Sequence, residues 1–333
     1  MEILQSDGAV LTTVYRDSAV FQSDDALVGD AVVLSAGTAG LATLSSTHVA
    51  LMEPWDPGLQ HWKGGGFLEY VRSDAAMDRM ASGEVYNFGG NPEWNHEAIW
   101  VADVRAFCIY PFGNPLQGVE WASELPVVPL VEYEEPLPLG RAEWMVAMAW
   151  LVGDSSAHVA RGAFEGIARR YEQIQQAGRA QRDSLVVLTG SVEQGAWSAP
   201  HGGSLVAHLL EDAGAKYAFA ASEGPGNVEL SLEQLYALRE QVDALGLVVF
   251  EPDTLNFTIA SWLEDNPHHA GVIPASAKVF AANTKTCDYF GWWVAHPDAL
   301  LANVRSVLYG PFEGGENPVD PCFEWLTPSP LTP

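Results

Sequence analysis

From Leu139 to about Gln176 the sequence is helical almost throughout, while strand-type sequence stops before this stretch and resumes after it. Ala142, Met145, Val146 and Ala149 recur at helical spacing, and so do Ala157, Ala160, Phe164, Ile167, Ala168, Tyr171 and Ile174. Gly153-Asp154-Ser155-Ser156 interrupts the pattern and supplies an N-cap for its second part. At about 1.5 Å per residue, roughly twenty helical residues span about 30 Å, the diameter of a small domain. Such a stretch suits a stiff connector that fixes two α/β halves with little hinge motion. The alternative is two helices packed on one sheet. With 333 residues the chain is long for one ordinary core and sufficient for two. The reading is an N-terminal α/β lobe over 1–138, a connecting helix over 139–177 and a C-terminal α/β lobe over 178–333.

Short apolar runs on either side of the connector alternate with helical patterns, as in layered α/β folds. The expected strands are Val10–Tyr15, Ala31–Ser35, Thr47–Met52, Ala106–Tyr110 and Val127–Val131 in the first half. In the second half they are Leu185–Thr189, Leu247–Phe250 and Val279–Ala282. Gly310–Pro321 and Thr327–Pro333 are rich in Gly and Pro and read as loops.

Charge narrows the partners. The formal net charge is -27, from 43 acidic against 16 basic residues, and only Lys63, Lys216, Lys278 and Lys285 are lysines. Such a surface repels nucleic-acid phosphates and anionic membranes, so no nucleic acid is expected as a partner. One reading of the acidity is a salt-adapted surface, working where the Debye length falls to about 3 Å. The other is ordinary solubility from excess carboxylates. No apolar run is long enough to span a membrane, and the first residues lack the basic and apolar regions of a signal peptide. Cys108, Cys287 and Cys322 are too few and too scattered for a disulfide scaffold or a CxxC metal site. Cys108 falls in a buried strand; Cys287 and Cys322 are free to pair in an oxidising space.

Two segments share a pattern. Asn95-His96-Glu97-Ala98-Ile99 precedes the strand around Phe107, and Ser231-Leu232-Glu233-Gln234-Leu235 precedes the strand around Val248. Asn95 and Ser231 read as N-caps, and Ser231 with Gln234 as a capping box. Each places a glutamate at the second helical position, exposed on the first turn. Acids there complement the helix dipole by about 0.3–1 kcal/mol, which is reason enough for their presence. The functional alternative is one carboxylate presented by each lobe.

At this point the chain resembles a known family: the substrate-binding proteins of ABC importers for iron-siderophores and vitamin B12, with a helical backbone between two lobes. The resemblance runs over roughly residues 40–310. It rests on Leu44-Ser45-Ser46-Thr47-His48-Val49-Ala50, on Gly83-Glu84-Val85-Tyr86-Asn87-Phe88-Gly89 followed by Asn95–Ile99, and on Pro138–Trp144. Trp197-Ser198-Ala199-Pro200-His201-Gly202-Gly203-Ser204 through Leu210–Ala215 resembles the opening of the second lobe. His201 stands where the family has glycine, and Ala102-Asp103 replaces its usual Pro-Asp. The resemblance implies two Rossmann-like lobes joined by a long helix, the class III periplasmic binding protein fold. It implies capture of an iron-siderophore-like metal chelate, cobalamin or haem between the lobes, and delivery to an ABC transporter permease. It also implies that Glu97 and Glu233 pair with permease arginines, giving steering and register more than affinity. The expected location is periplasmic or extracytoplasmic, with a removed lipoprotein signal as one possible anchor, and the expected state is a monomer without cofactor.

Binding sites of this kind combine aromatic walls with a few polar anchors. His48, Trp55 and Tyr110 from the first lobe, and Trp197, His201 and Tyr289 from the second, are the expected wall residues. Arg141, at the connector's entry, is the expected anchor for an acidic ligand group. Trp62 in the first lobe and Phe290 in the second are further candidates, and Trp292 and Trp293 enter on aromatic density alone. His48 or His201 is a candidate axial ligand to haem iron or cobalt, while no HxH, HExxH or CxxC spacing predicts a metal site.

Two other classes compete. An α/β hydrolase or metal-dependent enzyme would show Gly-x-Ser-x-Gly, a P-loop or a GxGxxG turn, and none occurs. Ser45, Ser46, His48 and Glu53 are discounted as a catalytic group because they fall in one expected strand and turn. A sensor or scavenger on the same fold is the other alternative, since fold does not fix function.

Overall fold

The computed structural model describes residues 1–5, 8–16, 30–34, 40–90, 93–102, 104–112, 126–193, 196–224, 226–250, 252, 255–265, 267–272, 278–311 and 321–326. Most of the two expected Gly/Pro-rich loops, and Ser35 at the end of an expected strand, lie outside these residues. The chain forms two compact units. The first holds Met1–Glu135, Leu139–Gly166 and Phe290–Ala295; the second holds Pro136–Pro138, Ile167–Tyr289 and His296–Pro333.

The first unit opens with a small sheet of β1 (Glu2–Leu4), β2 (Val10–Tyr15) and β3 (Asp30–Val33), in that order. Its main sheet comprises β4 (Leu41–Thr43), β5 (Trp62–Gly66), β6 (Tyr86–Gly90), β7 (Glu93–Trp94), β8 (Ala106–Ile109) and β9 (Val127–Pro129). The spatial order is β7-β6-β5-β4-β8-β9, parallel except at β7. Helices α1 (Ser46–Met52), α2 (Asp74–Ala81) and α3 (His96–Val101) lie between the strands. Ala42, Leu44, Phe88, Ile99, Phe107 and Ile109 build one core cluster, with Phe88 and Phe107 edge to face at 5.7 Å.

The expected strand Thr47–Met52 is helix α1 instead. Ser45 caps it, its hydroxyl accepting from Thr47 N at 3.2 Å. His48 to Met52 are all buried, so the run is apolar on every side, and a continuous apolar run does not distinguish strand from helix. The true strand is β4, just upstream. Ser45, Ser46, His48 and Glu53 therefore sit on a helix and its caps, not on alternate faces of a strand. Sequence reading also missed β5, whose Trp-Lys-Gly-Gly-Gly is a poor strand former. Its glycines are required by packing: a Cβ on Gly64 would lie 2.4 Å from the Phe88 ring.

The long helical stretch is two helices, α4 (Pro138–Val152) and α5 (Asp154–Arg179), separated only by Gly153. The division between the units falls inside α5. In the first unit, Arg16 stacks over the Trp150 ring at 4.3 Å and forms an ion pair with Asp154. In the second, Tyr171 and Gln175 donate to the two oxygens of Asp212 at 2.5 and 2.7 Å. Burial, then the Asp212 carboxylate, pushes the Tyr171 hydroxyl far above its ordinary pKa, so it remains a donor.

The second unit carries β10 (Val186–Thr189), β11 (Ser191–Glu193), β12 (Ala196–Pro200), β13 (Lys216–Tyr217), β14 (Asn227–Leu230), β15 (Ala244–Val249), β16 (Lys278–Asn283) and β17 (Phe323–Trp325). Its main sheet runs β13-β10-β15-β16-β17, parallel except at β17; β11-β12-β14 form a separate antiparallel sheet. Its helices are α6 (Leu205–Asp212), α7 (Leu232–Leu238), α8 (Ile259–Asp265) and α10 (Pro297–Tyr309), whereas α9 (Trp292–Ala295) belongs to the first unit and packs on α1. Trp197, Leu235, Leu247, Trp262 and Val279 lie in its core.

Cys287 and Cys322 form a disulfide, with Cα atoms 5.2 Å apart and a sequence separation of 35. Closing that loop constrains the unfolded chain by about 3–4 kcal/mol. The double variant Cys287→Ser, Cys322→Ser is expected to lose about that much in a urea melt, and dithiothreitol should then leave its midpoint unchanged. Cys108 stays a buried free thiol in β8, its pKa raised by burial and then by Glu132.

Candidate functional site

In an open parallel sheet the connections leave in opposite directions at one point, and the crevice there, outside the carboxyl ends of the strands, is where ligands bind. Both units have such a point. In the first it lies between β4 and β8, because β5 follows β4 on one side and β8 on the other. In the second it lies between β10 and β15, with β13 on the opposite side of β10.

At the first point the chain exposes an aromatic group. Tyr110 follows β8 and is half-buried, and its hydroxyl pKa is raised by burial. Phe112, two residues on, is 73% exposed. Tyr133 follows β9 and meets Phe112 edge to face at 6.4 Å. Burial, then the neighbouring Glu134 and Glu132, raises the Tyr133 hydroxyl as well, so both tyrosines are neutral donors at neutral pH. Arg141, from the first turn of α4, donates to the carbonyls of Tyr133 at 2.8 Å and Glu135 at 3.5 Å. Those bonds hold its guanidinium beside the aromatic group.

At the second point the exposed groups are apolar. Phe250, directly after β15, is 63% exposed, and Val248 and Leu255 are exposed beside it in sequence. The segment is tied to the end of β16. Asn283 Nδ2 donates to the Leu255 carbonyl at 3.1 Å, and Lys285 Nζ to the Pro252 carbonyl at 3.1 Å. Gly190, at the end of β10, has φ +126°, and a Cβ there would lie 2.2 Å from the Ser198 carbonyl, so the turn into β11 accepts no side chain.

The expected wall residues divide. Tyr110 follows β8 at the first switch point, and Arg141 is bonded to the turn after β9 that carries Tyr133. His201 is half-buried in the turn before α6; its Nδ1 has no partner among the described residues. Of the remaining four, three are interior and Tyr289 is half-buried. His48 is 0% exposed on α1, with Nε2 3.3 Å from Glu132 Oε2. Trp55 is buried, donating to the Leu51 carbonyl at 3.0 Å. Trp197 is 0% exposed in β12 and donates to the Thr189 carbonyl at 3.2 Å. Tyr289 packs edge to face on Phe323 at 5.9 Å and lines a small cavity of about 40 Å³. His48, on α1, Trp55, just after it, and Trp197, within β12, thus pack the units. Trp62 and Trp293 are likewise buried, while Phe290 is exposed. Phe112, Tyr133, Phe250 and Leu255 were missed; the signal that would find them is position in the segments that follow the parallel strands β8, β9 and β15.

Glu97 and Glu233 are exposed at the second positions of α3 and α7. Asn95 caps α3 by accepting from Ala98 N at 3.1 Å, and Ser231 and Gln234 form the expected capping box. Among the described residues no three metal-ligating side chains converge, and no helix is long and apolar enough to cross a membrane.

No family model and no curated protein matches the sequence. Solved structures do match the fold. A possible iron-binding (periplasmic solute-binding) protein from Staphylococcus epidermidis superposes with a TM-score of 0.60 at 13% identity, covering 81% of this chain and 98% of that one. A periplasmic heme binding protein from Pseudomonas aeruginosa gives 0.59 at 15% identity, covering 87% and 98%. The triscatecholate siderophore binding protein FeuA from Bacillus subtilis, complexed with ferri-bacillibactin, gives 0.57 at 16% identity, covering 84% and 95%.

Proposed function

We propose that this chain, whose fold is that of the class III periplasmic binding proteins, captures a bulky metal chelate outside the cytoplasm and delivers it to an ABC importer. The observation that carries the reading is the pair of aromatic and apolar groups at the two switch points: exposed Phe112 and Tyr133 with half-buried Tyr110 in one unit, exposed Val248, Phe250 and Leu255 in the other. Exposed phenyl rings at the carboxyl ends of parallel strands are unfavourable in water and suit a large ligand with aromatic or alkyl surface. The aromatic and apolar character of these groups suits a preformed chelate with organic surface better than a bare ion, which needs charged or donor side chains around it. Arg141 supplies the cation for an acidic group on that chelate. The solved structures that share this fold are binding proteins, which supports a binding role over an enzymatic one.

The Cys287–Cys322 disulfide supports an extracytoplasmic location, because such bonds persist in oxidising compartments. Glu97 and Glu233 are the proposed contacts to permease arginines, one from each unit. The ligand groups are tested by truncation. Phe112→Ala and Phe250→Ala should each weaken binding of the chelate found by titration about 10- to 100-fold, the loss expected from one buried phenyl ring. Their urea midpoints should stay within about 0.5 kcal/mol of the parent, because both rings are surface groups. Unchanged affinity in both variants would remove the switch points as the binding site.

A further inference from the structure

Helix α3 carries more than its glutamate. Trp100 and Val101, three and four residues after Glu97, share its helix face and are 52% and 57% exposed. Ile99 is the buried residue that fixes the helix to the unit's core, which turns Trp100 outward. An indole is rarely left half in water without a partner, and tryptophan leads the residues that anchor protein interfaces. The neighbouring sequence is acidic on balance: between Arg79 and Arg105 it holds Glu84, paired with Arg79 at 2.9 Å, and Glu93, Glu97 and Asp103, with no lysine or arginine. Whatever covers this face is therefore basic around an apolar recess.

The matching helix of the other unit differs. Three and four residues after Glu233 stand Tyr236, half-buried with its hydroxyl donating to the His268 carbonyl at 3.5 Å, and Ala237. No large apolar side chain is offered there.

We propose that Trp100 and Val101 form an apolar anchor that seats the first unit in a recess of the importer's permease, beside the arginine that meets Glu97. This rests on the reading of the chain as an importer's binding protein. The two docking helices then act differently: α3 by apolar burial and charge, α7 by charge alone. The difference matters for a chain of net charge -27. Added salt shortens the Debye length from about 10 Å at 0.1 M to about 3 Å at 1 M, which weakens the two glutamate contacts. Apolar burial survives the same salt, so the anchor keeps docking effective where charge pairs fade.

The test is the dissociation constant of the ligand-loaded protein for its cognate permease–ATPase complex in lipid nanodiscs, at about 0.1 M and about 1 M NaCl. Trp100→Ala should weaken docking roughly tenfold or more at both salts, and Trp100→Phe should restore most of it. Glu97→Ala with Glu233→Ala should weaken docking strongly at low salt and much less at high salt. If Trp100→Ala docks like the parent at both salts while the glutamate variant fails, the anchor is overturned and the importer reading stands. If the parent itself does not dock at either salt, the importer reading falls and the anchor with it. Trp100→Ala should keep the parent's melting temperature and chelate affinity; a loss of either would make Trp100 a structural residue and overturn the anchor.

Discussion

The double variant Glu97→Ala, Glu233→Ala is expected to bind its chelate with unchanged affinity and to transport none. Both carboxylates are exposed, so their removal leaves no buried group unpaired. Each removes a favourable interaction with its helix dipole of about 0.3–1 kcal/mol, too little to unfold a unit whose core is intact. At a docked interface the effect is larger. Truncating one partner of a buried, hydrogen-bonded charge pair costs about 2–5 kcal/mol, much of it from the partner left behind unpaired. Two such losses, added, weaken docking by roughly a thousandfold or more. Uptake into proteoliposomes carrying the permease–ATPase complex, beside a ligand titration of the same variant, separates the two effects. Normal uptake by the double variant would remove the two helices as docking elements.

Trp197→Ala is expected to act on stability and not on ligand. The side chain is 0% exposed, in the core of the second unit, with its indole N–H satisfied by the Thr189 carbonyl. Replacing a buried tryptophan by alanine costs about 3–5 kcal/mol through lost burial and the cavity left behind. Gly190, which a Cβ would bring to 2.8 Å from the indole nitrogen, shows how closely the backbone is packed against this ring. A urea melt of the variant should show that loss, while the folded fraction binds its chelate with the parent's affinity. Unchanged stability with lost binding would instead return Trp197 to the ligand-contacting set.

The same tryptophan shows where sequence reading stops. The fold was legible because its largest features are periodic: α5 buries Ala160, Ile167, Tyr171 and Ile174 at helical spacing, and β2 and β16 coincide with apolar runs. The caps Asn95 and Ser231 were legible because capping is local chemistry within four residues. Helix α1 was not, since its buried residues carry no period, and β5 was not, since its glycines are chosen by Phe88 across the sheet. The candidate site was half legible. Arg141 and Tyr110 follow from the position of the connector and of a strand end. Trp55, Trp197 and His48 misled, because aromatic and histidine content says nothing about which side of a strand end a ring packs on. Phe112 and Phe250 are found only once strand order is known, since the switch point is a property of the sheet and not of a segment.

The central claim is capture of a preformed chelate, and a thermal melt with a ligand panel tests it most directly. The panel holds ferric tris-catecholate and hydroxamate siderophores, haem, cobalamin and the free metal ions, each in dilute and in molar salt. A ligand that binds only the folded state adds RT ln(1 + [L]/Kd), about 2.7 kcal/mol at a hundredfold excess over Kd. That moves the melt of a unit of 150–250 residues by roughly 5–10 °C. The account predicts such a shift with one class of chelate, its reduction to about half or less in Phe112→Ala and Phe250→Ala, and none with the free ions. A shift with a bare metal ion and with no chelate would contradict it.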